Sequence, residues 1–420
     1  MVTATAIHEA VEQRRETLVE LCQALVRIDA ENPPGRNYDT SVDRLAAALE
    51  SRAYEVERVP VPDSVVSDHY PERTEHPREN VVGHLEGGGD GPSIHFTGHF
   101  DVVPAGEGWN RAPYDPVVED GKLYGRGSSD MKSGIATSLV AVDALREVES
   151  LAGSITQSMT CDEETGGFTG LGYLVEEGYV TDETADYCVY TECFDSSRIC
   201  IGHRGVLKFR VVTHGRTAHG CMAHDGTNAI TAMQAVLSEV EEYREELHDR
   251  ETDLPVTPAE SRQADISVTM MDAGYSENVI PDRCTATFYR VLVPEEDIDT
   301  ARAEVRTLLD RAAASTGAQT EYEEIMFAEP TAVDPDCEIA RTYREHIGSF
   351  HSDPETVVSP GSDDQRFVVN DGDIEECIVY GPGLLEQAHV SDEHVPVEEM
   401  VIAAKVMATA TADLMGVLEE

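Results

Sequence analysis

The sequence predicts an α/β fold: a mainly parallel sheet covered on both faces, with a smaller ferredoxin-like β-α-β-β-α-β domain inserted into it. Three observations predict this. The chain has 420 residues, too many for one ordinary core. Up to residue 204, short β-branched runs alternate with helical patterns, as in parallel sheets. After "GHRG" (202–205) the order becomes strand, helix, two strands, helix, strand, the inserted unit. The predicted divisions are 1–204 and 329–420 for the first domain and 205–328 for the insert.

Each element has its own signal. Residues 5–30 carry Ala6, Val11, Leu18, Leu21 and Leu25 near helical spacing, and "ENPPG" (31–35) stops that helix. "TSVDRLAAALESRAY" (40–54) is a second helix. "ENVVGHLEG" and "SIHFTGHFD" read as short strands, and residues 129–148 start polar and become a helix. "GSITQSMTCDEETGG" and "TADYCVYTEC" are strands that end in acids. In the insert, "VLKFRVVTHG", "ADISVTMMDAG", "RCTATFYRVLV" and "QTEYEEIMF" are strands, and the helices follow "TNAITAMQ" and "EEDIDTAR". "DCEIARTYREHIGSF" and "PVEEMVIAAKVMATATADLMGVL" are helices that complete the first domain.

Composition narrows the class. The formal charge is −50, from 81 Asp plus Glu against 31 Lys plus Arg. Such a surface repels nucleic acid and repels itself at low salt. Hydrophobic residues make up 40%, so this is no disordered acidic chain. The expectation is a halophile's enzyme, working where the Debye length is only ~3 Å at about 1 M salt. The opening "MVTATAIHEAVEQRRETLVE" is polar, and no apolar run approaches a membrane span. The nine cysteines form no C-x-x-C pair. Reduced thiols and a cytoplasmic location, without a membrane partner, are therefore expected.

The chemistry gathers where predicted strands stop. His99 and Asp101 share a face at the end of "SIHFTGHFD". Asp130, the pair Glu163–Glu164, Glu192 and His389 hold comparable positions. In a parallel sheet the carboxyl ends of strands meet at one edge, where ligands bind. Singly each residue has a plain reading: a surface His–Asp bond, a helix cap, an acidic turn, a loop histidine. Together they point to metal. Imidazole plus carboxylate suits zinc, and two zincs ~3.5–4 Å apart can share a carboxylate and clamp a water.

"GHFDVVPAG", "GKLYGRGSSDMKSG", "DEETGG", "TEC", "HRG", "GRTAHG", "NAI", "NVIPD", "SDDQR" and "GPG…AH…DEH" resemble, in order, the motifs of the M20 metallopeptidases. That family includes acetylornithine deacetylase, succinyl-diaminopimelate desuccinylase, aminoacylases and glutamate carboxypeptidases, on a dizinc exopeptidase-like fold. The resemblance implies two Zn²⁺ per chain, with Co²⁺ as a substitute. His99 and Glu192 would hold one ion, Glu164 and His389 the other, and Asp130 would bridge. Asp101 would orient His99, and Glu163 would be the general base. The insert would be a lid through which two chains dimerise. His219 of "GRTAHG" would reach a partner's scissile carbonyl. Asn278 and Arg290 fit positions facing the substrate carboxylate, although a structural ion pair serves Arg290 equally well. Gly361, Ser362 and Arg366 resemble a second substrate-binding loop with the same ambiguity.

The implied substrate is a small N-acyl amino acid or a short peptide. The reaction would be deacylation, with dipeptidase or carboxypeptidase action as the alternative. A non-catalytic metal- or partner-binding protein would be expected to lack the base, which is present. Desuccinylases of the family usually carry R-R-G-S where this chain has "HRGV" (203–206), and A-Y-P where it has "GCMAH" (220–224). These departures favour a shorter or more apolar acyl group.

Overall fold

The computed structural model describes residues 1–72, 74–317 and 319–419. The chain forms two compact units. The first holds residues 1–201, 333–357 and 363–420, and the second 202–332 and 358–362.

In chain order the strands used below are β1 (Glu55–Pro60), β2 (Glu79–Leu85), β3 (Ser93–His99), β4 (Ser154–Thr160), β5 (Tyr187–Tyr190) and β6 (Arg198–His203). There follow β7 (Gly205–His214), β8 (Asp265–Ala273), β9 (Arg283–Leu292), β10 (Thr320–Ala328) and β11 (Cys377–Val379). The helices are α1 (Ala4–Gln13), α2 (Arg15–Val26), α3 (Tyr38–Glu50), α4 (Lys132–Val148), α5 (Ala229–Leu247), α6 (Ile298–Thr316), α7 (Glu338–Ile347) and α8 (Val397–Leu414).

The sheet of the first unit runs β1-β2-β4-β3-β5-β11-β6. Its middle pairs, β4 with β3, β3 with β5 and β5 with β11, are parallel, whereas β2 and β6 pair antiparallel with their neighbours. Because β1 is in turn antiparallel to β2, it points the same way as the four central strands. The sheet is thus mainly parallel, as expected. The parallel register brings the carboxyl ends of β3, β4 and β5 together at His99, Thr160 and Tyr190.

Helix α4 is the centre of the helical layer. Its sequence, "KSGIATSLVAVDALREV", is apolar or small nearly all round, which marks a helix buried on most sides. It packs against α1, α2, α8 and β3. The single helix expected over 5–30 is two. Arg14 sits between them at φ −100°, ψ 6°, and the break lets Ile7, Ala10 and Val11 of α1 and Leu18, Leu21 and Leu25 of α2 all reach the interior. The helix expected from 129 begins at Lys132, because the amides of Ser129 and Asp130 donate instead to the Glu393 carboxylate. Strands β1, β6 and β11 were not expected. They are short, and β1 is mostly exposed.

The second unit is a four-stranded antiparallel sheet in the order β8-β9-β7-β10, with α5 and α6 packed on it. Leu207, Phe209, Val211, Met233, Val236, Phe288, Val305 and Leu308 form its core. β8 is an edge strand. Its exposed side chains include Val268, Met270 (69%) and Met271 (60%).

Candidate metal centre

The site lies in the first unit. His99 ends β3 and is fully buried. Its Nδ1 faces the main-chain carbonyl of Asp101 at 3.0 Å and that residue's Oδ1 at 3.5 Å. Asp101 therefore orients the ring mainly through its backbone. With Nδ1 so engaged, Nε2 is turned to Glu192 Oε2 at 3.1 Å and Asp130 Oδ1 at 3.2 Å. Asp130 offers its other oxygen to His389: Oδ2 to Nε2 is 3.2 Å, and Glu164 Oε2 lies 3.0 Å from the same nitrogen.

Two ligand sets result, His99–Asp130–Glu192 and Asp130–Glu164–His389, each with ligand atoms within 4.8 Å of one another. Asp130 belongs to both, one oxygen to each.

The Asp101 carboxylate has a further task that its spacing from His99 does not suggest. Its Oδ1 accepts the amide of Glu163 and its Oδ2 that of Glu164, each at 3.3 Å. It also accepts from Asn32 Nδ2 at 2.9 Å. Asn32 bridges on to Asp162 Oδ1 at 3.1 Å, and Asp162 takes a left-handed φ of 78°. The two glutamates open a short 3₁₀ turn, Glu163–Thr165. Adjacent residues on such a turn project in different directions, so Glu164 reaches His389 while Glu163 lies 3.9 Å from His99 Nε2. Gly167 closes the turn at φ 70°, where a Cβ would fall 1.9 Å from Asp364 Oδ1. Arg366 Nη2 ties the turn from outside, donating to the Gly166 carbonyl at 2.5 Å.

Electrostatics follow from packing Asp101, Asp130, Glu163, Glu164 and Glu192 around two imidazoles. Burial raises Glu163 well above the usual carboxylate range, His99 opposing and Asp364, Glu164 and Glu192 adding to it. Burial and the Asp130 charge push Glu164 up to about 7. His389 is held at about 10 by hydrogen bonds to Asp130 and Glu164. Burial would raise Asp130 too, but His389 and His99 outweigh it and hold its pKa low. A cluster so rich in carboxylates needs cations. Its donors, imidazole nitrogen and carboxylate oxygen, fit zinc and similar divalent ions.

Glu393 shapes the loop that carries Asp130. Fully buried, it accepts from Ser129 and Asp130 amides at 2.8 and 3.1 Å, from the Gly127 amide at 3.0 Å, and from Arg126 Nη1 at 2.6 Å. The motif "DEH" contains this residue, but nothing in its spacing assigns it to Asp130. Glu393→Ala strands the buried Arg126 charge and is expected to cost about 3–5 kcal/mol. A melt of the variant with and without added zinc would read it; an unchanged melting temperature would refute it.

The other predicted residues are placed as follows. His219 lies in the second unit on a short strand, Ala218–His219, paired with Val279–Ile280, and it is exposed. The neighbouring Asn278, also exposed, accepts from the Gly220 amide at 2.7 Å. Gly361 is exposed and Ser362 half-buried. Arg290 is wholly buried in the second unit. It pairs with Glu296 and donates to the Tyr243 hydroxyl at 3.3 Å, with the tyrosine ring beside it. That is the structural ion pair, one of the two readings the sequence allows for Arg290. Arg366 is likewise interior, held by the carbonyls of Asp363 and Gly166 and by the ring of Phe367. Through the Gly166 carbonyl it braces the glutamate turn.

The model of peptidase family M20/M25/M40 matches residues 95–413. The chain belongs to that family. Among curated M20 relatives, a succinyl-diaminopimelate desuccinylase of Methylobacterium radiotolerans is 30% identical, covering 92% of this chain and 93% of the relative. The enzyme of that name from Gluconacetobacter diazotrophicus is 29% identical over 89% and 91%. Solved structures share the fold. Aminopeptidase PepT of Bacillus cereus superposes with a TM-score of 0.74 at 19% identity, over 95% of this chain and 98% of that one. An M20 metallo-carboxypeptidase of Sulfolobus solfataricus gives 0.74 at 18%, over 94% and 98%. A Bacillus subtilis protein described as a dinuclear metal-binding M20 peptidase gives 0.65 at 17%, over 97% and 99%. This M20 protein is accordingly a metal-binding hydrolase. Among the described residues, no helix is long and apolar enough to cross a membrane.

Proposed function

We propose that this M20 enzyme hydrolyses the amide bond of an N-acyl amino acid, using two divalent ions, zinc in the first instance. The observation that carries the proposal is Asp130, whose two carboxylate oxygens face His99 on one side and His389 on the other. His99, Glu192 and Asp130 would hold one ion, and Glu164, His389 and Asp130 the second. Bound there, such ions lower the pKa of a shared water and polarise a carbonyl.

The remaining work falls to protein groups. Glu163 has no ligand role in either set, and its burial favours taking up a proton. It receives the proton of the attacking water and delivers it to the departing amine. His219 donates a hydrogen bond to the carbonyl oxygen as charge develops there. The desuccinylase relatives support an acyl-amino-acid substrate, and the missing R-R-G-S stretch favours an acyl group without a second carboxylate. The test is a hydrolysis screen in molar KCl with zinc or cobalt. Acetyl-, formyl- and succinyl-amino acids are set against dipeptides, and turnover confined to dipeptides would overturn the deacylase reading.

Two further expectations belong to this proposal. The second unit is read as a lid and dimerisation domain, its apolar edge strand β8 covered by a second copy. His219 would then serve the partner's site. Mixing Glu163→Gln chains with His219→Ala chains should restore activity, because one site in each mixed dimer keeps both groups. No recovery after verified subunit exchange would rule out action in trans. With −50 charge, the protein is also read as a halophile's cytoplasmic enzyme. Its melting temperature should fall steeply as KCl is removed and the Debye length grows to ~30 Å at about 0.01 M. A melting temperature independent of KCl would refute that reading.

A further inference from the structure

His219 does not stand alone on its turn. Immediately after it, the chain closes into a short 3₁₀ segment, Gly220–Asp225. The amide of Cys221 donates back to His219 Nδ1 at 3.3 Å, and the Cys221 sulfur lies 3.1 Å from the same nitrogen. Cys221 is the exposed cysteine of the chain; seven of the nine are buried and Cys337 is half-buried. Packing therefore does not account for its place here. The pairing with an imidazole nitrogen does.

A backbone N–H can only donate, so Nδ1 must be an acceptor and the ring proton sits on Nε2. The Cys221 S–H can donate to the same Nδ1 lone pair. The amide fixes the tautomer, and the thiol, sharing the same lone pair, restrains the ring's rotation. A neutral imidazole with its proton on Nε2 is the form that donates to a carbonyl oxygen.

We propose that Cys221 is a positioning residue for His219, its thiol restraining the rotation of the imidazole that donates its Nε2–H to the scissile carbonyl. This rests on the reading of His219 as the carbonyl donor. Nothing in the two metal-ligand sets involves Cys221, so it acts only through the imidazole.

The test uses the zinc-loaded full chain with the best substrate of the screen. Removing one hydrogen bond of about 0.5–1.5 kcal/mol should make Cys221→Ala about 3- to 10-fold slower in kcat, with KM within about twofold. Cys221→Ser, which keeps an O–H donor, should recover most of the rate. Nitrogen NMR of the His219 ring supplies a readout besides activity. Its Nδ1 should stay unprotonated in all three proteins, because the main-chain amide remains, whereas ring relaxation should show a more mobile His219 in Cys221→Ala than in the wild type and Cys221→Ser.

If His219→Ala is slow while Cys221→Ala keeps the wild-type kcat, the positioning role is overturned and the His219 reading stands. If Cys221→Ser is as slow as Cys221→Ala, the effect is not hydrogen bonding and the proposal fails. If His219→Ala is harmless, the His219 reading fails and takes the carbonyl contact with it. A His219 ring as rigid in Cys221→Ala as in the wild type would refute the thiol's hold on it.

Discussion

Glu163→Gln is expected to lower kcat by about 10²–10⁴-fold while metal content stays near two per chain. The side chain keeps its size and its place on the 3₁₀ turn, so the amide contacts of residues 163 and 164 to Asp101 survive. Glu164 still reaches His389. Only the proton-accepting oxygen is lost. Metal analysis of the dialysed variant beside its turnover number separates the two jobs of the glutamate pair. If one ion leaves with the substitution, Glu163 is a ligand and the base lies elsewhere.

The second large effect is expected at Asp130. Because both ligand sets contain it, Asp130→Ala should empty both positions, whereas Glu192→Ala or His389→Ala should release one ion each. Activity should fall further than the roughly 10–100-fold typical of residues that merely support a ligand. Asp101→Ala belongs to that milder class by its bond to His99, although it also frees the amides of the glutamate turn. Titrating zinc into each stripped variant and counting bound ions reads this directly. Asp130→Ala retaining one tightly held ion would show that the carboxylate does not bridge.

Part of the candidate site was legible because His99, Glu163, Glu164 and Glu192 stand at or just past strand ends, whereas Asp130 and His389 lie in loops. A parallel sheet converts positions far apart in sequence, such as His99 and Glu192, into neighbours at one edge, and strand ends can be read from local pattern. The groups that hold those ligands in place were not legible. Asn32 looks like part of a helix stop, and Glu393 like one acid among many in a chain of 81. Their importance arises only when the folded chain brings Asn32 to Asp101 and Asp162, and Glu393 to the amides before α4. Arg290 and Arg366 show the converse. A motif position marks an arginine, but whether its guanidinium faces a ligand or an internal carboxylate depends on burial.

The amino-acid sequence by itself determined the α/β class, the inserted β-α-β-β-α-β unit, the acidic surface and the candidate ligand set. All of these depend on local periodicity, composition or short motifs. Only the tertiary structure decided that Asp130 divides its two oxygens between two histidines, and that Asp101 serves the glutamate turn as much as His99. It alone put Arg290 in an internal ion pair and Cys221 against His219. Such facts turn on distances of about 3 Å between side chains, the range over which a hydrogen bond is made or lost, and periodicity carries no information at that scale.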